Sequence, residues 1–148
     1  MRITPRTEAP VISITERYPR PRLDKLGVQP GQRVTLLGVN DDEFRDELLK
    51  RGAAVTHRLR KDSDLIFLRA TSSAALGRLK GAKASLRSAG AVWVLWPKGR
   101  PGFTEDHVRA VALATGLVDV KVVSFSDILS GLKLVIRLAD RPKREGAS

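Results

Sequence analysis

The sequence predicts an α/β fold: a mostly parallel sheet between two layers of helices, closed by an antiparallel hairpin at the C-terminus. Three observations predict it. Short apolar runs alternate with stretches of helical period from about residue 33 onward. Glycine, proline, serine or aspartate bounds nearly every run. The last two apolar stretches are joined only by a "SDILSG" turn. Repeated strand–helix–strand units build a parallel sheet with helices on both faces, and a terminal hairpin adds an antiparallel strand.

Residues 1–21 read as a basic arm. Four of the eight prolines (Pro5, Pro10, Pro19, Pro21) lie there, and "VISIT" (11–15) is its one candidate edge strand. A single domain follows over 22–139. A short amphipathic turn leads to Pro30-Gly31, and "RVTLLGV" (33–39) is a buried strand. "DDEFRDELLKRG" is a helix, with Asn40 or Asp41 as cap, acids at its positive end and Gly52 at its close. "AAVTHRL" (53–59) is a weak strand and "DLIFLRA" (64–70) a strong one. The stretch from Thr71 to Gly90 is expected as one helix, capped by Ser72 or Ser73, with Leu76, Leu79 and Leu86 inward and Lys80, Lys83 and Arg87 on an adjoining face. "AVWVLWP" (91–97) is the next strand. "TEDHVRAVALATG" is a helix with Thr104 as cap and Gly116 at its end. Residues 140–148 are a polar tail.

Composition excludes several classes. The 148 residues suit one ordinary domain with its own core. No apolar run approaches the ~18 residues of a membrane span, and the first residues lack the apolar segment of a secretory signal. There is no cysteine, hence no disulfide framework or thiolate metal site. A cytoplasmic location is the expectation. The net charge of +11 is uneven: no acid lies between Asp64 and Glu105, an interval that holds Arg69, Arg78, Lys80, Lys83, Arg87, Lys98 and Arg100. The termini add Arg2, Arg6, Arg17, Arg20 and Arg22, and Arg141, Lys143 and Arg144. Such a field attracts polyanions, which makes nucleic acid a candidate partner held by Lys80, Lys83, Arg87, Lys98 and Arg100. An arginine-rich solvated surface is the plainer alternative.

The residues "KLGVQPGQRVTLLGV", "SAGAVWVLWP" and "TEDHVRAVALATGLVDVKVVSF…SGLKLVIRL" together resemble a shortened class I methyltransferase core, a Rossmann-like domain, over roughly residues 22–138. "KLG-x-x-PG-x-R-V", "W-x-x-WPK", "GLVDVKV" and "SGLK" also resemble an uncharacterised bacterial family of short proteins without an assigned activity. The first resemblance implies an S-adenosylmethionine site after the first strand. Two departures stand against it. Gly38 is the only glycine of a turn that is glycine-rich in that superfamily, and Arg58, Arg60 and Lys61 stand where an acid would hold the ribose. The expectation is therefore a non-catalytic binding or regulatory module without a cofactor. The alternatives are a minimal S-adenosylmethionine-dependent methyltransferase and a nucleic-acid-binding accessory protein.

Ligand sites in open sheets gather beyond the carboxyl ends of the strands. That rule selects Gly38 and Asn40, Arg60 and Lys61, Thr71 and Ser72, Pro97 and Lys98, and Ser124 to Asp127. Trp93 and Trp96, three residues apart on a strand, face opposite ways. Both are expected under helices, or else Trp96 stands at the rim with Lys98 and Arg100 to stack a base. Thr71 and Ser72 offer hydroxyls to an anion, or simply cap a helix. In "SFSDILSGLK", Asp127 and Lys133 are either turn residues or an acid and a cation facing the site. His57 and His107 show no metal-ligand spacing, and no Walker loop or nucleophile elbow occurs. Oligomeric state is left open.

Overall fold

A computed structural model describes residues 21–140. The basic arm, its "VISIT" segment, the tail and their cations lie outside the described residues. Six strands and five α-helices follow: α1 (Arg22–Leu26), β1 (Arg33–Leu37), α2 (Asp42–Arg51), β2 (Ala54–Thr56), β3 (Ser63–Arg69), α3 (Ser73–Leu76), α4 (Leu79–Ser85), β4 (Leu86–Pro97), α5 (Glu105–Thr115), β5 (Leu117–Ser124) and β6 (Leu129–Ile136). The sheet order is β2-β1-β3-β4-β6-β5. The first four strands in that order run parallel; β6 is antiparallel to β4, and β5 to β6. This is the Rossmann-like three-layer architecture that the alternation predicts.

Period-two alternation sorts the sheet side chains into two cores. Leu37, Ile66, Leu68, Val92, Val94 and Trp96 pack on one face with residues of α3, α4 and α5. Val34, Leu36, Leu65, Phe67, Trp93 and Leu95 pack on the other with Leu23 and Leu26 of α1 and Phe44 and Leu48 of α2. Trp93 and Trp96 thus take opposite faces, and both are buried. The Trp93 indole N–H donates to the Leu26 carbonyl at 3.1 Å, which satisfies its polar atom and ties α1 to the sheet.

Two elements differ from expectation. The helix expected over 71–90 is two short helices and then strand. Gly77 and Arg78 form i→i−3 bonds to Ala74 and Ala75, which break the α ladder. From Leu86 the chain is extended: Leu86 pairs with Ser63, and after a shift Ala91 pairs with Leu65. Gly90 makes this possible, because a Cβ there would stand 2.7 Å from the Asp64 carbonyl and 3.0 Å from that of Ser63. Leu86 still serves the core, from a strand rather than a helix. The strand expected over 53–59 also shortens to three residues. The Thr56 hydroxyl accepts from the Arg58 amide and turns the chain away.

Candidate functional site

The chain leaves β1 for β2 on one side and returns to β3 on the other, so strand order reverses between β1 and β3. A ligand crevice belongs beyond their carboxyl ends. Gly38 follows β1 there with φ +74°. A Cβ at Gly38 would meet only ordinary contacts, 3.6 Å from the Arg69 carbonyl and 3.9 Å from Arg78 Nη1. Glycine is therefore selected by the left-handed backbone and not by crowding. Asp41 then caps α2, its Oδ1 accepting from the Phe44 amide at 3.0 Å.

A cleft of about 290 Å³ opens at this point, between Val39–Asp42 on one wall, Arg69 at the end of β3, and Phe125, Ser126 and Ile128 of the β5–β6 turn. The turn is pinned by Arg22. Its guanidinium forks onto Glu47 at 2.9 and 3.3 Å, donates to the Phe125 carbonyl at 3.1 Å, and lies 4.9 and 4.7 Å from the centres of the Phe44 and Phe125 rings. Asp41 and Asp42 give the cleft a negative wall and Arg69 a positive one. Arg78, the N-cap residue of α4, approaches Gly38 from the other face of the sheet. Neither Arg69 nor Arg78 forms an ion pair among the described residues.

A larger groove of about 450 Å³ lies between α1 and α2. Its Arg22 and Arg51 are bound to Glu47 and Asp24 within the fold, so it offers less unsatisfied chemistry than the smaller cleft. Among the described residues no three histidine, aspartate or glutamate side chains stand together as metal ligands.

The structure gathers some expected residues and separates others. Gly38 and Asn40 are at the crevice. Thr71 and Ser72 follow β3, and the Ser72 hydroxyl accepts from the Ala75 amide, so it caps α3. Arg60 and Lys61 sit at the opposite edge of the sheet. Their carbonyls accept from Ser63 Oγ at the start of β3 and from the Arg33 guanidinium at the start of β1. The short β2 is the reason, since the chain turns back after Thr56. Trp96 is only 5 % exposed, so it is a core residue and not a stacking platform at the rim. Lys98 Nζ is tied to Ser124 Oγ at 2.6 Å.

Asp127 and Lys133 are not brought together. Asp127 is exposed in the turn, where Ser126 Oγ, and not an aspartate, accepts from the Ile128 and Leu129 amides. Lys133 lies mid-strand opposite Trp93 and lines a separate cavity of about 200 Å³ with Gln32, Asp64, Arg87 and Gly90. Burial, and then the neighbouring Lys121, lower its pKa below the usual lysine value.

The basic face does not form on one helix. Lys80 is exposed on α4, Lys83 Nζ donates to the Thr115 carbonyl, and Arg87 lies on β4 bound to Asp64 at 2.7 Å. Lys98 and exposed Arg100 are at the other end of β4. His57 is exposed beyond β2, not within a strand. His107 Nδ1 accepts from the Thr104 amide at the start of α5. The nearness of Arg69 and Arg78 to Gly38, and of Phe125 to the Val39–Asp42 wall, has no local signal in the sequence, because folding alone creates it.

The same architecture occurs in solved methyltransferases. A SAM-dependent methyltransferase from Aquifex aeolicus superposes with a TM-score of 0.62 at 16% identity, covering 78% of this chain and 87% of that one. A TehB-like SAM-dependent methyltransferase from Corynebacterium glutamicum gives 0.58 at 16% identity, covering 78% and 86%. Magnesium protoporphyrin IX methyltransferase from Synechocystis, solved with bound S-adenosylhomocysteine, gives 0.52 at 11% identity, covering 78% of each chain. These likenesses establish the class I methyltransferase-like fold. No protein-family model and no curated protein matches the sequence. The resemblance to an uncharacterised bacterial family is therefore carried by its quoted residues alone. No helix among the described residues is long and apolar enough to cross a membrane.

Proposed function

We propose that the chain binds S-adenosylmethionine or its demethylated product at the end of β1 and acts as a minimal methyltransferase. The observation that carries this reading is the switch-point cleft, which opens directly after the left-handed Gly38 turn and has two carboxylates on one wall. It reverses the expectation of no cofactor for a stated reason. Arg60 and Lys61, which would repel a cationic sulfonium, lie at the other edge of the sheet. The likeness of the fold to methyltransferases supports the same reading.

S-adenosylmethionine supplies a methyl group on a positively charged sulfur. Asp41 and Asp42 favour positive charge in the cleft, and Arg69 opposite them suits a carboxylate. At about 290 Å³ the cleft is at the small end of ligand sites, roughly 300–1,000 Å³. It takes one end of an adenosyl amino acid and leaves the rest at the surface. The residues' contribution is orientation: Ala70 N–H bonds the Leu95 carbonyl at 2.9 Å and fixes the end of β3, while Arg22 fixes the Phe125 wall.

One observation favours a second reading, a module that holds the ligand without turnover. After Thr56, β2 presents exposed His57 and Arg58 and no carboxylate for ribose hydroxyls. Calorimetric titration with S-adenosylmethionine and S-adenosylhomocysteine tests both. Micromolar binding, about −8 kcal/mol, is expected. Binding with transfer of a labelled methyl group to an acceptor supports the enzyme, and binding without transfer supports the module. Silence up to millimolar concentration overturns both.

A further inference from the structure

We infer that the cavity at the amino edge of the sheet binds a small oxyanion, with Lys133 and Arg87 as its cationic donors. Both residues line this one cavity of about 200 Å³. Four strands build it. Gln32 precedes β1, Asp64 and Leu65 begin β3, Arg87 and Gly90 come from the first half of β4, and Lys133 from antiparallel β6. Ala89, Gly90 and Ala91 carry nothing larger than a methyl, so the space between the charged groups stays open. The cleft after Gly38 shares none of these residues.

The charges of the cavity do not balance. Its one carboxylate is committed: Asp64 Oδ2 accepts from the Arg33 amide at 2.8 Å, and Oδ1 from Arg87 at 2.7 Å. Gln32 Oε1 is also taken, by the Gln29 amide at 2.8 Å, which leaves its side-chain NH₂ to donate. Lys133 brings a further positive charge. Its ammonium has no hydrogen bond or ion pair among the described residues. It is half-buried opposite Trp93, and its cross-strand neighbour on the other side is Lys121. Burial and then Lys121 lower its pKa, the direction expected of a cation to which the fold gives no counter-charge. Such a charge costs stability until an anion joins it. An oxyanion accepts from the ammonium and from the Arg87 N–H groups that Asp64 leaves free. Leu65, Ala91 and Val135 form apolar walls, which strengthen that attraction. Size sets the ligand class. The cavity lies below the roughly 300–1,000 Å³ of sites for larger ligands, so it suits phosphate or a short carboxylate and not an adenosyl group.

This inference does not rest on the methyltransferase reading. The test is titration of the isotope-labelled full chain with inorganic phosphate and with acetate, at pH 7 and constant ionic strength, followed by amide chemical shifts. It is run on the natural protein, Lys133→Met, Arg87→Gln and the control Lys80→Gln, which removes a cation from an exposed position outside the cavity. The natural protein should show saturable shifts at Gln32, Leu65, Gly90 and Lys133. Lys133→Met should weaken binding about tenfold or more, Arg87→Gln by less, and the control by less than twofold. Phosphate should also raise the thermal unfolding midpoint of the natural protein and leave that of Lys133→Met unmoved. Tighter phosphate binding assigns the site to a dianion and tighter acetate binding to a carboxylate; both support the inference. Absence of saturation at tens of millimolar, shifts scattered over exposed cations, or undiminished affinity in Lys133→Met overturns it. Phosphate binding here without S-adenosylhomocysteine binding beside Gly38 removes only the methyltransferase reading, and the reverse removes only the oxyanion site.

Discussion

The two edges of the parallel strands use charge in opposite ways. At the amino edge, several charged groups are engaged within the fold. Asp64 accepts from the Arg33 amide at 2.8 Å and from Arg87 at 2.7 Å, and the Arg33 guanidinium bonds the Lys61 carbonyl. Arg51, one layer away, pairs with Asp24 and donates to the Val28 carbonyl. At the carboxyl edge, Arg69 and Arg78 have no ion pair among the described residues, and the backbone bends through a left-handed glycine. A charge already satisfied by the protein holds the structure together. One left unsatisfied beside a cleft is available to something else, and this contrast is the reason the proposed site is put at the carboxyl edge.

The contrast breaks if the amino edge proves dispensable. The largest effect is expected for Gly90→Ala. Its new methyl would overlap two backbone carbonyls of β3, which have no room to shift without disturbing the sheet. Chemical denaturation should show a loss of roughly 2–3 kcal/mol. Asp64→Ala comes next. It leaves the Arg33 amide without its acceptor, whereas the half-exposed Arg87 pair adds little. A loss of about 1–2 kcal/mol is expected by the same measurement. By contrast, Arg69→Gln and Arg78→Gln should change stability by no more than about 0.5 kcal/mol, because they remove no internal partner.

The smallest expected effect is a gain. Lys133 is half-buried opposite Trp93, and Lys121 is its cross-strand neighbour. Its pKa is lowered by burial first and by Lys121 second. A lysine whose folded pKa is depressed binds its proton less well folded than unfolded. The penalty is therefore present at neutral pH, and it fades as pH rises through the folded pKa toward the unfolded value of 10.5. Lys133→Met should raise the unfolding midpoint slightly at pH 7, and the difference from the natural protein should shrink above pH 10. A loss of stability at pH 7 would mean that Lys133 has a satisfied role in its cavity.

Much of the fold was legible because periodicity and caps are local. The apolar runs at 33–39, 64–70 and 91–97, the acid-led helix after Asp41 and the closing hairpin all follow from neighbouring residues. The break after Leu76 was not legible. "LGRLKGAKASLR" keeps helical spacing, and only the approach of the β3 backbone to Gly90 shows why Leu86 onward is strand. The place of Gly38 and Asn40 beyond the carboxyl end of β1 was legible because the strand-end rule needs only sequence order. Arg60 and Lys61 were misplaced by the same rule, since it assumed a strand running to Leu59, whereas pairing ends at Thr56. The nearness of Arg78 to Gly38 was invisible because it is created by the crossover through α3.

The most direct test of the carboxyl-edge assignment is amide chemical-shift mapping of the isotope-labelled full chain titrated with S-adenosylhomocysteine. The predicted result is saturable shifts confined to Gly38–Asp42, Arg69–Ser72 and the Phe125–Leu129 turn. Shifts centred instead on Gln32, Asp64, Arg87 and Gly90 would place the ligand at the amino edge and contradict the account.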